Sequence, residues 1–171
     1  MKPVIYLSIV CLMTLVGCRS SAPLHTIGQL DVQRYSGTWY EIARITHRFE
    51  RGLKKVSATY TVRNDGKITV LNRGSKDTDP EVVKTAKGIA WIPDPTKPAQ
   101  LKVRFFWPFT GNYWIIDLDA DYRHALIGDP SRKYLWILSR TKTMDAATYN
   151  RLTDIAAKAG FDISRLDRIQ Q

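Results

Sequence analysis

The thiols and imidazoles of this chain are few, Cys11, Cys18, His25, His47 and His124, and their positions decide how much covalent or metal chemistry is open to it. The histidines are widely separated, and none shows the ligand spacing of a metal site. His47 and His124 could still meet in space as an acid/base or metal pair, although hydrogen-bonded histidines are the commoner arrangement. No catalytic residue, metal site or cofactor is expected.

Cys18 is the informative thiol. It closes the run Leu15-Val16-Gly17-Cys18, directly after an apolar stretch from Val4 to Val16 that follows the cation Lys2. Cation, short apolar run and small residue at the cut are the parts of an export signal, and the run is too short for a membrane span. Leu-Val-Gly-Cys resembles the lipobox of bacterial lipoproteins. The resemblance implies a thiol joined to diacylglycerol, cleavage before Cys18, and acylation of the new amine with a chain such as palmitate. Several chains on one cysteine make a firm anchor. Cys11 leaves with the signal and the Cys18 sulfur is committed, so neither a free nucleophile nor a disulfide is expected. Arg19 in place of aspartate resembles the enterobacterial pattern for forwarding to the outer membrane, facing the periplasm.

The expected organisation is a signal over residues 1–17, an acylated tether over 18–26 rich in Ser, Ala and Pro, and a single domain over 27–171. The formal net charge of +10 suits a body drawn to anionic lipid head groups. Nucleic acid is not an expected partner, since no helix or aromatic module of a nucleic-acid reader accompanies that charge.

The elements that must position any site are strands. Runs rich in Val, Ile, Thr, Tyr, Phe and Trp predict eight, over 39–47, 56–63, 67–73, 82–92, 100–106, 113–118, 122–127 and 134–140. Asn64-Asp65-Gly66, Pro93-Asp94-Pro95 and Asp129-Pro130-Ser131 supply turn chemistry between them. Leu101, Val103 and Phe105 alternate with Lys102 and Arg104, the mark of a half-buried strand. Tyr134-Leu135-Trp136-Ile137-Leu138 is apolar on both faces and needs cover. One helix, Asp145 to Ala159, carries Tyr149, Leu152, Ile155, Ala156 and Ala159 at helical spacing, with Thr143 as expected cap and Gly160 as left-handed stop. An alternating sheet with one helix laid on it predicts an all-β fold, an eight-stranded antiparallel up-and-down barrel whose closure removes its edges. Eight strands leave room for side chains or one small ligand.

Gly37-Thr38-Trp39-Tyr40-Glu41, Asp121-Tyr122 and Arg140 resemble the three signature regions of the lipocalins. The strings from Tyr40 to Arg44, His47 to Gly52 and Tyr122 to Leu126 are similar to bacterial outer-membrane lipoprotein lipocalins and their apolipoprotein D relatives. The resemblance implies that Trp39 closes the barrel floor and that Arg140 stacks across it, a structural role. If Trp39 points inward, alternation puts Glu41, Ala43 and Ile45 on the same side and Ile42 beneath the helix, unless a bulge intervenes. Glu41 is then a candidate for a perturbed pKa, through burial or a nearby cation, with a structural ion pair the commoner outcome. Parity from Arg140 turns Trp136 and Tyr134 inward. With Ala43, Tyr60, Val103, Phe105, Tyr113 and Ile115 they form the candidate ligand pocket, as wall or as filler.

The aromatic run Phe105-Phe106-Trp107-Pro108-Phe109 predicts a loop at the barrel mouth. A membrane-touching or ligand-admitting lip, a patch folded under the rim, and a homodimer contact all stay open for it. The resemblance implies a non-enzymatic carrier of fatty acids or lysophospholipids, bound to the membrane through acylated Cys18 and serving membrane maintenance. A partner-binding lipoprotein with a filled barrel, or a lipocalin-fold isomerase or pigment binder, are the alternatives.

Overall fold

The computed structural model describes residues 22–47 and 50–171. The signal, Cys18 and the first residues of the tether lie outside the described residues.

A one-turn helix α1 (Val32–Tyr35), capped by the Asp31 carboxylate, leads into β1 (Gly37–Ile45). Seven strands follow: β2 (Leu53–Val62), β3 (Ile68–Lys76), β4 (Asp79–Trp91), β5 (Gln100–Phe106), β6 (Phe109–Leu118), β7 (His124–Gly128) and β8 (Leu135–Ser139). Each pairs antiparallel with the next, and β1 closes the ring by pairing with both β8 and β2. The eight predicted strands and the barrel are therefore present. Asp65 holds the β2–β3 turn through the Lys67 amide and the Arg63 side chain, while Gly66 takes the positive φ of 75°.

Helix α2 (Ala146–Lys158) lies outside β1, β7 and β8. Leu152 and Ala156 bury against Ile42, Ala43, Ile45, Leu126 and Ile137, covering the outer side of the doubly apolar strands. Its cap is Asp145, whose carboxylate accepts from the Thr148 amide and hydroxyl, rather than Thr143. Gly160 supplies the left-handed stop at φ 87°. Phe161 then packs so closely that a Cβ on Gly128 would stand 2.5 Å from its ring.

Three features depart from the sequence reading. The span 18–26 expected as tether overlaps the packed body, since Leu24 is buried in the layer under α2 and the Ala22 carbonyl accepts from Arg132. A ninth strand, β9 (Leu166–Arg168), pairs with the upper part of β1. There β1 and β2 have parted, their ladder running only from Gly37–Tyr60 to Tyr40–Ser57. The segment after β9 fills the seam: Lys55 donates to the Gln170 carbonyl, and the Gln171 amide to the Glu41 and Val56 carbonyls. Third, β1 carries a bulge between Glu41 and Ala43 opposite Leu138 and Ile137. One extra residue reverses the side-chain parity beyond it. Ala43 and Ile45 therefore face α2, and Arg44 turns into the barrel.

Candidate functional site

The barrel interior is built upward from a packed floor. Trp39 is fully buried, its indole N–H donating to the Tyr35 carbonyl at 2.8 Å. The Arg140 guanidinium lies 4.0 Å over the indole ring. Its three nitrogens donate to the carbonyls of Thr38, Tyr122, Arg34 and Tyr35 at 2.7–3.1 Å. Arginine suits this position because one planar fork reaches four acceptors while its face remains on the ring. Leu101, Ile115, Ala125 and Ile127 pack above Trp39.

Higher up the wall loosens. Ala58, Val103, Phe105, Tyr113 and Trp136 point inward yet remain partly exposed, so the exposure is to the inside of the barrel. Phe105 lies over Gly88, where a Cβ would stand 2.7 Å from the ring. Asn72 carries a buried amide oxygen with no hydrogen-bond partner among the described residues.

Near the mouth the apolar wall is interrupted by a polar cluster. Arg44, 2% exposed, donates to Glu41 at 2.6 Å and to the carbonyls of Glu50 and Leu53 at 2.7 and 3.1 Å. The Glu50 carboxylate receives the Trp136 indole N–H at 3.2 Å and pairs with His47 at 3.0 Å. Burial, and then the charge of Glu50, push the Glu41 carboxyl up to about 8 against the pull of Arg44. Glu50 is buried too, but the hydrogen bond and charge of His47, helped by Arg44 and Trp136, bring it below the usual carboxylate range. Two carboxyls in one cluster are thus driven apart: Glu41 holds a proton near neutrality and Glu50 is an anion.

Around the mouth, Phe106, Trp107 and Phe109 at the β5–β6 turn are 66%, 82% and 76% exposed. Val82 and Val83 of β4 are exposed beside Lys84 and Lys87. The β4–β5 ladder holds only the pairs Ile89–Arg104, Ala90–Val103 and Trp91–Lys102. Above it β4 has no ladder to β5 among the described residues, on the side of the aromatic turn. A cleft of about 400 Å³ on the outer side, lined by Arg63, Lys87, Arg104 and Trp107, adjoins that turn.

The family model of the lipocalin-like domain matches residues 30–171. The chain is a lipocalin. This lipocalin is 46% identical over 159 residues to the outer membrane lipoprotein Blc of Citrobacter freundii, covering 91% of its own chain and 89% of that relative. To temperature-induced lipocalin-1 of Arabidopsis thaliana it is 42% identical over 157 residues, covering 86% and 83%. Insecticyanin of the tobacco hornworm Manduca sexta shares the fold, with a TM-score of 0.67 at 21% identity over 85% of this chain and 83% of that one.

Of the candidate pocket residues in this lipocalin, Tyr60, Val103, Phe105, Tyr113 and Trp136 face the interior together. Ala43 does not, because the bulge turns it beneath α2. Ile115 is 0% exposed and belongs to the packed floor. Tyr134 stands at the rim, stacked at 6.2 Å on Trp136 and edge-on to His47 at 5.3 Å. His124 binds Asp119 near the floor while His47 sits at the mouth, so the two histidines do not meet. Sequence reasoning missed Tyr35, Arg44 and Glu50 as members of the interior. Among the described residues no group of His, Cys, Asp and Glu is placed to hold a metal ion.

Proposed function

We propose that this lipocalin is an outer-membrane lipoprotein, anchored by acylated Cys18 on the periplasmic side, that takes up the acyl chain of a fatty acid or lysophospholipid. The observation that carries the reading is the gradient inside the barrel: a sealed floor, a partly exposed apolar wall, and an open mouth flanked by bare aromatics and lysines. An acyl chain gains about 0.8 kcal/mol for each methylene taken out of water, and the wall supplies that burial. The lip of Phe106, Trp107 and Phe109 gives the chain an apolar path between bilayer and mouth, and Lys84 and Lys87 suit an anionic head group left at the rim. That bacterial relatives are outer membrane lipoproteins, Blc of Citrobacter freundii and of Vibrio cholerae among them, supports the membrane and the anchor.

The arrangement performs binding. Glu41 and Glu50 are occupied by Arg44, His47 and Trp136, so their hydrogen-bonding capacity holds the mouth in shape. Titration with a lysophospholipid while following tryptophan fluorescence tests the reading. A saturable change, lost in Trp136→Ala, is the expected result. A protein that carries no lipid in native mass spectra and responds to none added belongs with partner-binding scaffolds.

A further inference from the structure

The hydroxyls of Tyr35, Tyr60 and Tyr113 meet at the bottom of the open part of the barrel. Tyr60 donates to the Tyr113 oxygen at 2.9 Å, and Tyr113 and Tyr35 share a hydrogen bond of 2.6 Å. Three hydroxyl protons serve two hydrogen bonds, so one proton is directed elsewhere. Tyr35 is 2% exposed and held between the rings of Trp39 and Tyr60, at 4.9 and 5.5 Å. Tyr113 is the half-buried member, on the inner face of β6. The free proton therefore belongs on Tyr113, which accepts from both neighbours and donates into the barrel. Accepting two hydrogen bonds makes a hydroxyl a stronger donor.

The chemistry of an acceptor at this point is constrained. Burial pushes all three phenols above the ordinary tyrosine range, so each keeps its proton. Among the described residues none of the three hydroxyls has a cationic hydrogen-bond partner: Glu50 acts on Tyr60 as a negative charge, and Arg140, the positive charge felt by Tyr35 and Tyr60, has its nitrogens committed to backbone carbonyls. An anionic oxygen would enter without a cation free to hydrogen-bond it. A neutral one would meet a waiting donor in an otherwise apolar bottom.

We propose that the Tyr113 hydroxyl is a floor subsite for a neutral oxygen at the far end of the bound chain, as in an acyl chain with a terminal hydroxyl, carbonyl or ether. The proposal rests on tail-first entry of an acyl chain. Tyr134 at the rim and Leu138 in the packed floor are separated by roughly 13 Å along the strand, about the reach of an extended chain of some ten carbons, so a chain of about sixteen carbons reaches the bottom with its head group outside. The chain end thus arrives beside the tyrosines.

The test is a competition on the whole acylated protein held in phosphatidylcholine nanodiscs. Equal amounts of hexadecanoate and 16-hydroxyhexadecanoate are offered, and the ratio retained is divided by that of empty discs. One neutral hydrogen bond corresponds to a preference of about three- to tenfold for the hydroxylated chain. Tyr113→Phe should bring the ratio to one while still retaining hexadecanoate. On the unaltered protein, 16-methoxyhexadecanoate should keep the preference, because an ether oxygen accepts without donating. A ratio of one with both acids retained overturns the subsite and leaves the carrier reading standing. Retention of neither acid removes the carrier reading and the subsite together. A preference that survives Tyr113→Phe, or one confined to the hydroxyl and absent for the ether, overturns the assignment of Tyr113 as donor. Should Tyr113→Phe retain nothing, the ether comparison on the unaltered protein decides.

Discussion

Removing the charge of Glu41 should flatten the pH dependence of stability. The folded-state pKa of about 8 stands above the ordinary 4.5, so between those values the folded protein binds a proton that the unfolded chain has released. Stability from this group is full below pH 4.5 and is lost as pH rises through about 8. At about 1.4 kcal/mol per unit the whole interval is worth roughly 5 kcal/mol, of which roughly 3 kcal/mol falls between pH 5 and pH 8. Glu50, held low, has the opposite sign: its contribution is present above the ordinary carboxylate range and fades as pH falls through its lowered value. Glu41→Gln keeps an oxygen for Arg44 and removes the titration. The assay is urea unfolding of the parent and the variant at pH 5, 6, 7 and 8. The histidines are common to both proteins, so the difference between the curves reports Glu41 together with its effect on Glu50. The parent should lose about 3 kcal/mol relative to the variant across that range. Parallel curves would refute the reasoning, because they would mean that Glu41 is ionised throughout and that Arg44 compensates for its burial.

Three further outcomes follow from the geometry. Arg140→Met should destabilise the barrel by about 2–4 kcal/mol in thermal melts, because four carbonyls lose their donor, and Arg140→Lys should recover little since it lacks the fork. Gly128→Ala should cost about 1–3 kcal/mol by pressing on Phe161, and Phe161→Leu in the same chain should return part of that loss. Trp107→Ser with Phe109→Ser should slow lysophospholipid uptake from vesicles while stability stays within about 0.5 kcal/mol, because both side chains stand in solvent; an unchanged uptake rate would exclude the aromatic turn from lipid entry.

The barrel was legible because its strands alternate and its turns carry Gly, Asn, Asp and Pro. Val103 and Phe105 could be placed inward on that basis alone. β9 was not legible: three residues, Leu166-Asp167-Arg168, are too short for any period to show, and their pairing with β1 depends on a seam visible only in three dimensions. Nor was α1, a single turn whose one signal is Asp31. Tyr35 owes its place at the floor to that turn, so strand parity counted from Trp39 could not reach it.

The polar cluster was hidden for a sharper reason. From Glu41 to Ile45 the sequence contains neither Gly nor Pro to mark an extra residue, and strict alternation through it puts Ala43 inside and Arg44 outside. That pattern would bury an unpaired Glu41 in the barrel and direct a guanidinium into the apolar layer beneath α2. The first buries a carboxyl without a hydrogen-bond partner and the second a charge without a counter-ion, and both are costly. The bulge relieves the two problems in one step: it brings Arg44 within 2.6 Å of Glu41 and returns Ala43 and Ile45 to the apolar layer. The same step places a cation at the mouth, where it holds the Glu50 and Leu53 carbonyls at the start of β2. Electrostatic self-consistency, which a count of alternating residues does not contain, is therefore what selects the register of the upper half of β1.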